Sequence, residues 1–291
     1  LSVPTQTWIA NARMYSVSSA AAEAWRALLA QLARRARLPI QVIDHAAPAP
    51  LSELWARSDM AAVFMCGLPF SRAVPQPQLI AAPVPSAVDF RGQPIYWSEF
   101  VVRADSAYRA LSDTFGGRIA FTSTESQSGF AAPLQHLRYA GDGSPLFQAV
   151  IAPQITPGGA LAAVVESRAD VAAVDAYSLQ LLRRFAPELA ARVRVVARTD
   201  PRPIPPLVAS QPFETLTAAF LAAHQDVALH PILADLRVSR FVQVDPGEYR
   251  RLATEFDDTL AHWRAHTLAL ELHPAFGMLT AAAATREDDT T

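Results

Sequence analysis

Apolar residues first fall into a regular pattern in SAAAEAWRALLAQLARRA (19–36). Trp25, Leu28, Leu29 and Leu32 recur at three- and four-residue steps, while Arg26, Arg34 and Arg35 fall off that stripe. Ser18 or Ser19 would cap such a helix, and Pro39 closes the segment. Shorter runs follow. PIQVID (39–44), LIAAPV (79–84) and IYWSEFVV (95–102) predict strands, and AAVFMC (61–66) is an apolar run too short for an ordinary helix, closed by Gly67 and Pro69.

The middle of the chain repeats this grammar. RIAFT (118–122), AVIA (149–152), VAAVD (171–175) and VRVVAR (193–198) read as strands. Between them lie helical segments: one opened by a serine-rich loop, then ALAAVVES (160–167) and SLQLLRRF (178–185). Such alternation predicts an α/β protein with largely parallel sheets. Runs that are apolar throughout, such as AAVFM and VAAV, suit a sheet covered on both faces. After DPRPIPP (200–206) the pattern turns helical, over 213–223 and 246–267, and ends in the polar tail TREDDTT. The proline-rich 199–206 and FRGQPIYW (90–97) are the boundary candidates. Two boundaries around a middle α/β block predict two lobes, with the chain crossing between them twice.

Composition narrows the functions. With 291 residues, 51% hydrophobic, the chain can bury one large core or two smaller ones. Its 25 basic residues balance 27 acidic ones without a run of either sign, which argues against a nucleic-acid or membrane-surface binder. Every basic residue is arginine, so Schiff-base, P-loop and kinase-type lysine chemistry are excluded. Cys66 is the lone cysteine, which leaves neither an internal disulfide nor a zinc–thiolate cluster. No stretch approaches the roughly 18 apolar residues of a membrane span. LSVPTQTW lacks the basic and apolar regions of a leader, so the expectation is a cytosolic protein or an exported one without its signal peptide.

The candidate chemistry centres on RIAFTSTESQSGF (118–130), a strand followed by three serines, two threonines, a glutamate and a glutamine before Gly129. In open α/β sheets ligands gather at the carboxyl ends of strands. The first amides of a helix lack partners, and its dipole favours negative charge. Ser126, Gln127 and Ser128 would add side-chain donors there, making an anion cradle; plain N-capping by a serine is the competing reading. Pro133 follows so closely that the helix must start later than Ser128 or have a bent first turn. CGLP after AVFM and Asp175 after VAAV occupy comparable strand ends.

Other candidates are weaker. His262 and His266 are four residues apart on an expected helix, but no HExxH pattern or adjoining carboxylate accompanies them, and a solvated face is the better reading. SQSG lacks the first glycine of G-x-S-x-G, and nothing fixes a base near its serines. Cys66 reads as a small buried residue, and His136 is expected to point away from the serine loop. No catalytic residue, metal or cofactor is expected.

CGLPFS, YWSEFVVRADS, RIAFTSTESQSGF, ALAAVVESRADVAAVDAY and VRVVARTDPRPIPPLV, in this order over about 60–208, resemble solute-binding proteins of phosphate, phosphite and phosphonate ABC importers. ANARMYSV resembles the first strand and ligand-side turn of that group. The resemblance implies an α/β, two-lobed, type 2 periplasmic-binding-protein-like fold. Each lobe would be a mostly parallel sheet flanked by helices, joined by two hinge crossovers near Ser98–Val101 and Arg198–Pro201. Lobe one would be 1–98 plus 200–291, and lobe two 99–199. The family's helix start falls on Ser126, Gln127, Ser128 and Gly129, its tyrosine on Tyr96, its acidic residue on Asp175, and its first turn on Tyr15. Either tyrosine has packing as its alternative role, and Asp175 has capping of 176–185. An ionised Asp175 accepts only, so it suits a protonated oxyacid or an amine and repels a fully deprotonated anion.

Two departures stand out. Gln127 replaces a hydroxyl residue, and Thr156-Pro157-Gly158-Gly159 stands where a Ser-His pair is common. The implied protein is a periplasmic or outer-face membrane-tethered monomer that delivers a small oxyanion to an importer permease, without chemistry and without nucleic acid. A binder of another small anionic or heterocyclic solute, a sensory module and an enzyme on the same fold stay open.

Overall fold

Residues 7–140 and 146–265 are described by the structure, a computed structural model. His266 and the 285–291 tail lie outside them. The chain begins with strand β1 (Trp8–Asn11) and helix α1 (Ser19–Ala36), followed by β2 (Ile40–Val42), α2 (Leu51–Trp55) and β3 (Met60–Phe64). Helix α3 (Gly67–Arg72), β4 (Gln78–Pro85), β5 (Ile95–Tyr96) and β6 (Ser98–Arg103) come next. Then follow β7 (Arg118–Ala120), α4 (Ala132–Leu137), β8 (Ala149–Ile151), α5 (Pro157–Val165), β9 (Val171–Asp175) and α6 (Ala176–Phe185). Helix α7 (Pro187–Ala190) precedes β10 (Val193–Arg198), β11 (Arg202–Pro203), β12 (Leu207–Ala209) and α8 (Glu214–Ala222). The described chain closes with α9 (His230–Asp235), β13 (Val238–Val242) and α10 (Gly247–Ala265).

Local chemistry accounts for the clearest of these elements. The Ser18 side chain accepts a hydrogen bond from the Ala21 amide at 3.1 Å, and Arg37, at φ +55°, ends α1 in the left-handed region. Between them, Ala21, Trp25, Leu28, Leu29, Leu32, Ala33 and Ala36 are buried, so the apolar stripe is the packed face. Pro69 does not stop α3, because it lies in the first turn, where its missing N–H breaks no helical bond. Helices α2, α3, α7 and α9 and strands β11 and β12 are too short for periodicity to reveal them, and β13 buries only Val238 and Phe241, which is not a two-residue alternation.

The described chain divides into two compact units. The first holds the described residues up to Tyr96, Tyr177–Pro187 and Pro201–Leu252; the second holds Trp97–Ala176, Glu188–Asp200 and the described residues from Ala253 on. The first contains a six-stranded sheet, ordered β13-β4-β12-β3-β1-β2, and the short β11-β5 pair. Strand β1 is parallel to β2 and β3, whereas β12 and β13 pair antiparallel. The core of this unit includes a cluster in which Tyr15 stacks on Trp25 and meets Phe64 and Tyr177 edge-on. The second unit contains a five-stranded sheet, β10-β6-β9-β7-β8. There β9, β7 and β8 are parallel, and β6 runs antiparallel to both of its neighbours, β9 and β10.

In each sheet most strands share one direction, and the strands that follow Tyr96 and Pro201 enter as antiparallel neighbours. One expectation is corrected. IYWSEFVV is two strands, not one: Ile95–Tyr96 pairs with β11, and Ser98–Arg103 joins the five-stranded sheet. The change of sheet falls at Trp97, just before Ser98 and Glu99, in a stretch with no glycine or proline to signal a turn.

Candidate functional site

Strands β8, β7 and β9 are parallel neighbours, so their carboxyl ends share one edge of the sheet. Each feeds a helical start there, which is where open α/β sheets gather their ligands. After β7 the chain passes through Thr122 and the serine loop into a π-turn, Gln127–Ala131, ahead of α4. The Ala131 amide donates to the Ser126 carbonyl at 3.0 Å and that of Ala132 to Gln127, the wide winding of a π-turn. Pro133 sits in the first turn of α4, where it interrupts no bond. The proline that looked misplaced in one continuous helix is therefore the first-turn residue of a helix that starts at Ala132.

Ser126 is a cap: its Oγ accepts from the Gly129 amide at 2.9 Å. Gln127 and Ser128 are 3% and 7% exposed. The Ser128 carbonyl accepts from Ser98 Oγ at 2.6 Å, and Ser98's amide donates to Thr199 Oγ1 at 3.0 Å. Ser128 Oγ points to Asp175 Oδ2 at 3.5 Å, a long contact between two buried groups. Register explains why they meet. Ser98 lies directly opposite Asp175 across β6 and β9, so the hydroxyl that holds the Ser128 carbonyl stands beside the carboxylate that faces the Ser128 side chain.

Thr122 joins this loop to the next. Its amide donates to the Gly129 carbonyl at 3.3 Å, and its carbonyl accepts from the Ile155 amide at 2.9 Å. Its Oγ1 is buried with no hydrogen-bond partner among the described residues. At the start of α5, Thr156 Oγ1 accepts from the Gly159 amide at 3.0 Å. A side chain at Gly159 would come within 2.4 Å of the Gln154 carbonyl, whereas one at Gly158 would meet nothing closer than 4.0 Å. Gly159 is thus demanded by the turn itself, and Gly158 is not.

Ser126, Gln127, Ser128, Gly129 and Asp175 are brought together in the second unit. Tyr15 and Tyr96 belong to the first. Tyr15 is 1% exposed within the aromatic cluster, and Tyr96 is equally buried on β5, opposite Arg202. His136 packs its ring against Phe100 at 5.4 Å, and burial lowers its pKa, with Asp200 opposing that shift. His262 meets Trp263 edge-on. Sequence reasoning missed Ser98, Thr122 and Thr199 as the frame of the loop. The one available signal was Ser98 itself, a hydroxyl in the middle of an apolar run.

Chemically, this edge offers hydroxyl donors and a helical start beside a carboxylate that can only accept.

Several solved structures share this architecture. A binding-protein component of an ABC phosphonate transporter from Pseudomonas aeruginosa superposes with TM-score 0.75 at 17% identity, covering 97% of this chain and 98% of its own. PhnD1 from Prochlorococcus marinus, solved with methylphosphonate, gives 0.72 at 16% identity over 89% and 99% of the two chains. A Xanthomonas citri protein solved with ATP gives 0.61 at 19% over 88% and 98%. At these identities the likeness establishes the fold, the type 2 periplasmic-binding-protein fold. The family follows from the sequence: residues 15–249 match the model of the ABC transporter phosphonate periplasmic substrate-binding proteins, and the chain belongs to that family. No curated protein matches it.

Proposed function

We propose that this chain is the extracytoplasmic receptor of an ABC importer and that it captures a small phosphorus oxyanion, a phosphonate or a close analogue, at the serine turn. The observation that carries the reading is Ser128, whose hydroxyl faces Asp175 at 3.5 Å at the carboxyl edge of the parallel strands. Serine and backbone donors suit the oxyanion, and Asp175 accepts a hydrogen bond from the P–OH of its monoprotonated form. The receptor performs no reaction, acts as a monomer, and hands its ligand to a permease. The ligand roles expected of Tyr15 and Tyr96 belong to the same proposal and are read separately by Tyr→Phe variants.

Calorimetry and thermal shift against methylphosphonate, phosphite, phosphate, a sulfonate and a small carboxylate test the proposal. A phosphorus oxyanion is expected to raise the melting temperature, and Ser128→Ala to weaken it about tenfold, since a hydrogen bond to a charged group is worth about 1.5–3 kcal/mol. Affinity falls as pH rises through the ligand's last ionisation, because the dianion has no proton for Asp175. A preference for the carboxylate, or full affinity in Ser128→Ala, would sink the reading.

A further inference from the structure

An open surface pocket of about 350 Å3 lies within the first unit, walled by α9, β13 and the turn between them. One wall is α9, which presents His230, Leu233 and Ala234 at steps of three and four residues, and Arg237 joins it from the turn just past the helix end. The other wall comes from strand pairing. Val238 lies opposite Pro85, and the Ser86 amide donates to the Arg237 carbonyl at 2.8 Å, which brings Ser86 to the rim.

The lining has one sign of charge. None of its residues is acidic, and the nearby carboxylates are already engaged: Asp235 with Arg184 at 2.6 Å, and Asp226 with Arg35 and with the Ala228 amide. Arg237, exposed at the pocket, makes no ion pair or side-chain hydrogen bond among the described residues. His224 also lines the pocket, and its Nδ1 is buried with no hydrogen-bond partner among the described residues. His230 donates Nε2–H to the His224 carbonyl at 3.0 Å, which fixes its tautomer when neutral. A cation would meet the Arg237 charge, and among the described residues no group of three histidine, cysteine or carboxylate side chains is placed to hold a metal.

We propose that this pocket is an anion site, separate from the serine turn, that takes a phosphoryl group between Arg237, His224 and Ser86. The guanidinium fork binds two oxygens of such a group in parallel. The volume, near the lower end for ligand pockets, leaves room for a small organic substituent over Leu233 and Ala234.

Backbone amide NMR of the full chain, titrated with inorganic phosphate and with methyl phosphate, tests the assignment. Saturable shifts are expected over residues 230–239 with one or both probes, and which probe binds tighter separates a free-anion site from an ester site. Arg237→Gly is expected to weaken binding about tenfold or more, the loss of a charge-assisted pair. Its melting temperature should equal or exceed that of the parent, because Arg237 sits at φ +55°, which glycine adopts without strain. His224→Gln should weaken binding as well. Ser128→Ala must leave these shifts in place, so failure at the serine turn and failure here are distinguishable. No saturable shift at millimolar probe, or equal affinity in Arg237→Gly, overturns the proposal.

Discussion

Gly129 shows how closely the serine turn is packed. A Cβ there would stand 1.9 Å from Thr122 Oγ1 and 2.9 Å from Ser126 Oγ, distances no side chain sustains. Rotating the Thr122 hydroxyl does not clear the clash, since its Cβ would also stand at 2.9 Å and its amide and carbonyl are both bonded within the same edge. Gly129→Ala is therefore expected to destabilise the protein by about 2–3 kcal/mol, the upper range for overpacking, and to weaken the anion ligand. A urea midpoint unchanged from the parent would show that the turn is looser than this. The glycine was legible as a site residue, but its reason was not: Thr122, seven residues earlier, is what it must avoid. Ser126 answers the capping question directly, since its Oγ is the cap, while Ser128, two residues on, faces the carboxylate.

At the scale of elements, the antiparallel return of β6 and β10 places Glu99 opposite Arg198. Glu99 is 2% exposed, and its Oε1 receives Arg198 Nε at 3.1 Å and Trp97 Nε1–H at 3.3 Å. The guanidinium also lies 5.4 Å over the Trp97 ring. Deleting one partner of a buried pair strands the other charge, at about 3–5 kcal/mol; with Arg198 half exposed, Arg198→Met should cost about 2 kcal/mol. Chemical denaturation checks this, and adding Glu99→Gln should recover part of the loss. An additive double mutant would mean that the two side chains are not coupled. Neither residue announced this pairing, because it exists only once β10 runs antiparallel beside β6.

For the whole molecule, His136 sets one arm of the pH dependence. Burial lowers its pKa from the usual 6.5, against the pull of Asp200. The unfolded chain therefore takes the proton first, so stability falls as pH drops below about 6.5 and levels off once the folded form is protonated too. Denaturant midpoints measured from neutral pH down to about pH 5 should decline in the parent and flatten in His136→Gln. An equal decline in the variant would assign the effect to other groups. Asp113, held low by hydrogen bonds from the Arg109 and Ala110 amides, acts only below the ordinary carboxylate range, so the two arms separate.

The sequence by itself determined the α/β class, the long amphipathic α1, the order of strands through the middle of the chain, and the family. These follow from periodicity and from residues adjacent in the chain, which act whatever surrounds them. It also placed Ser126 to Gly129 and Asp175 at strand ends. Tertiary structure alone decided the rest: the antiparallel strands that make both sheets mixed, the switch of sheet at Trp97, the π-turn that resolves Pro133, and the frame of Ser98, Thr122 and Thr199. Each depends on which strand lies beside which. A hydrogen bond such as Ser98 to Ser128, thirty residues apart, leaves no local pattern to read.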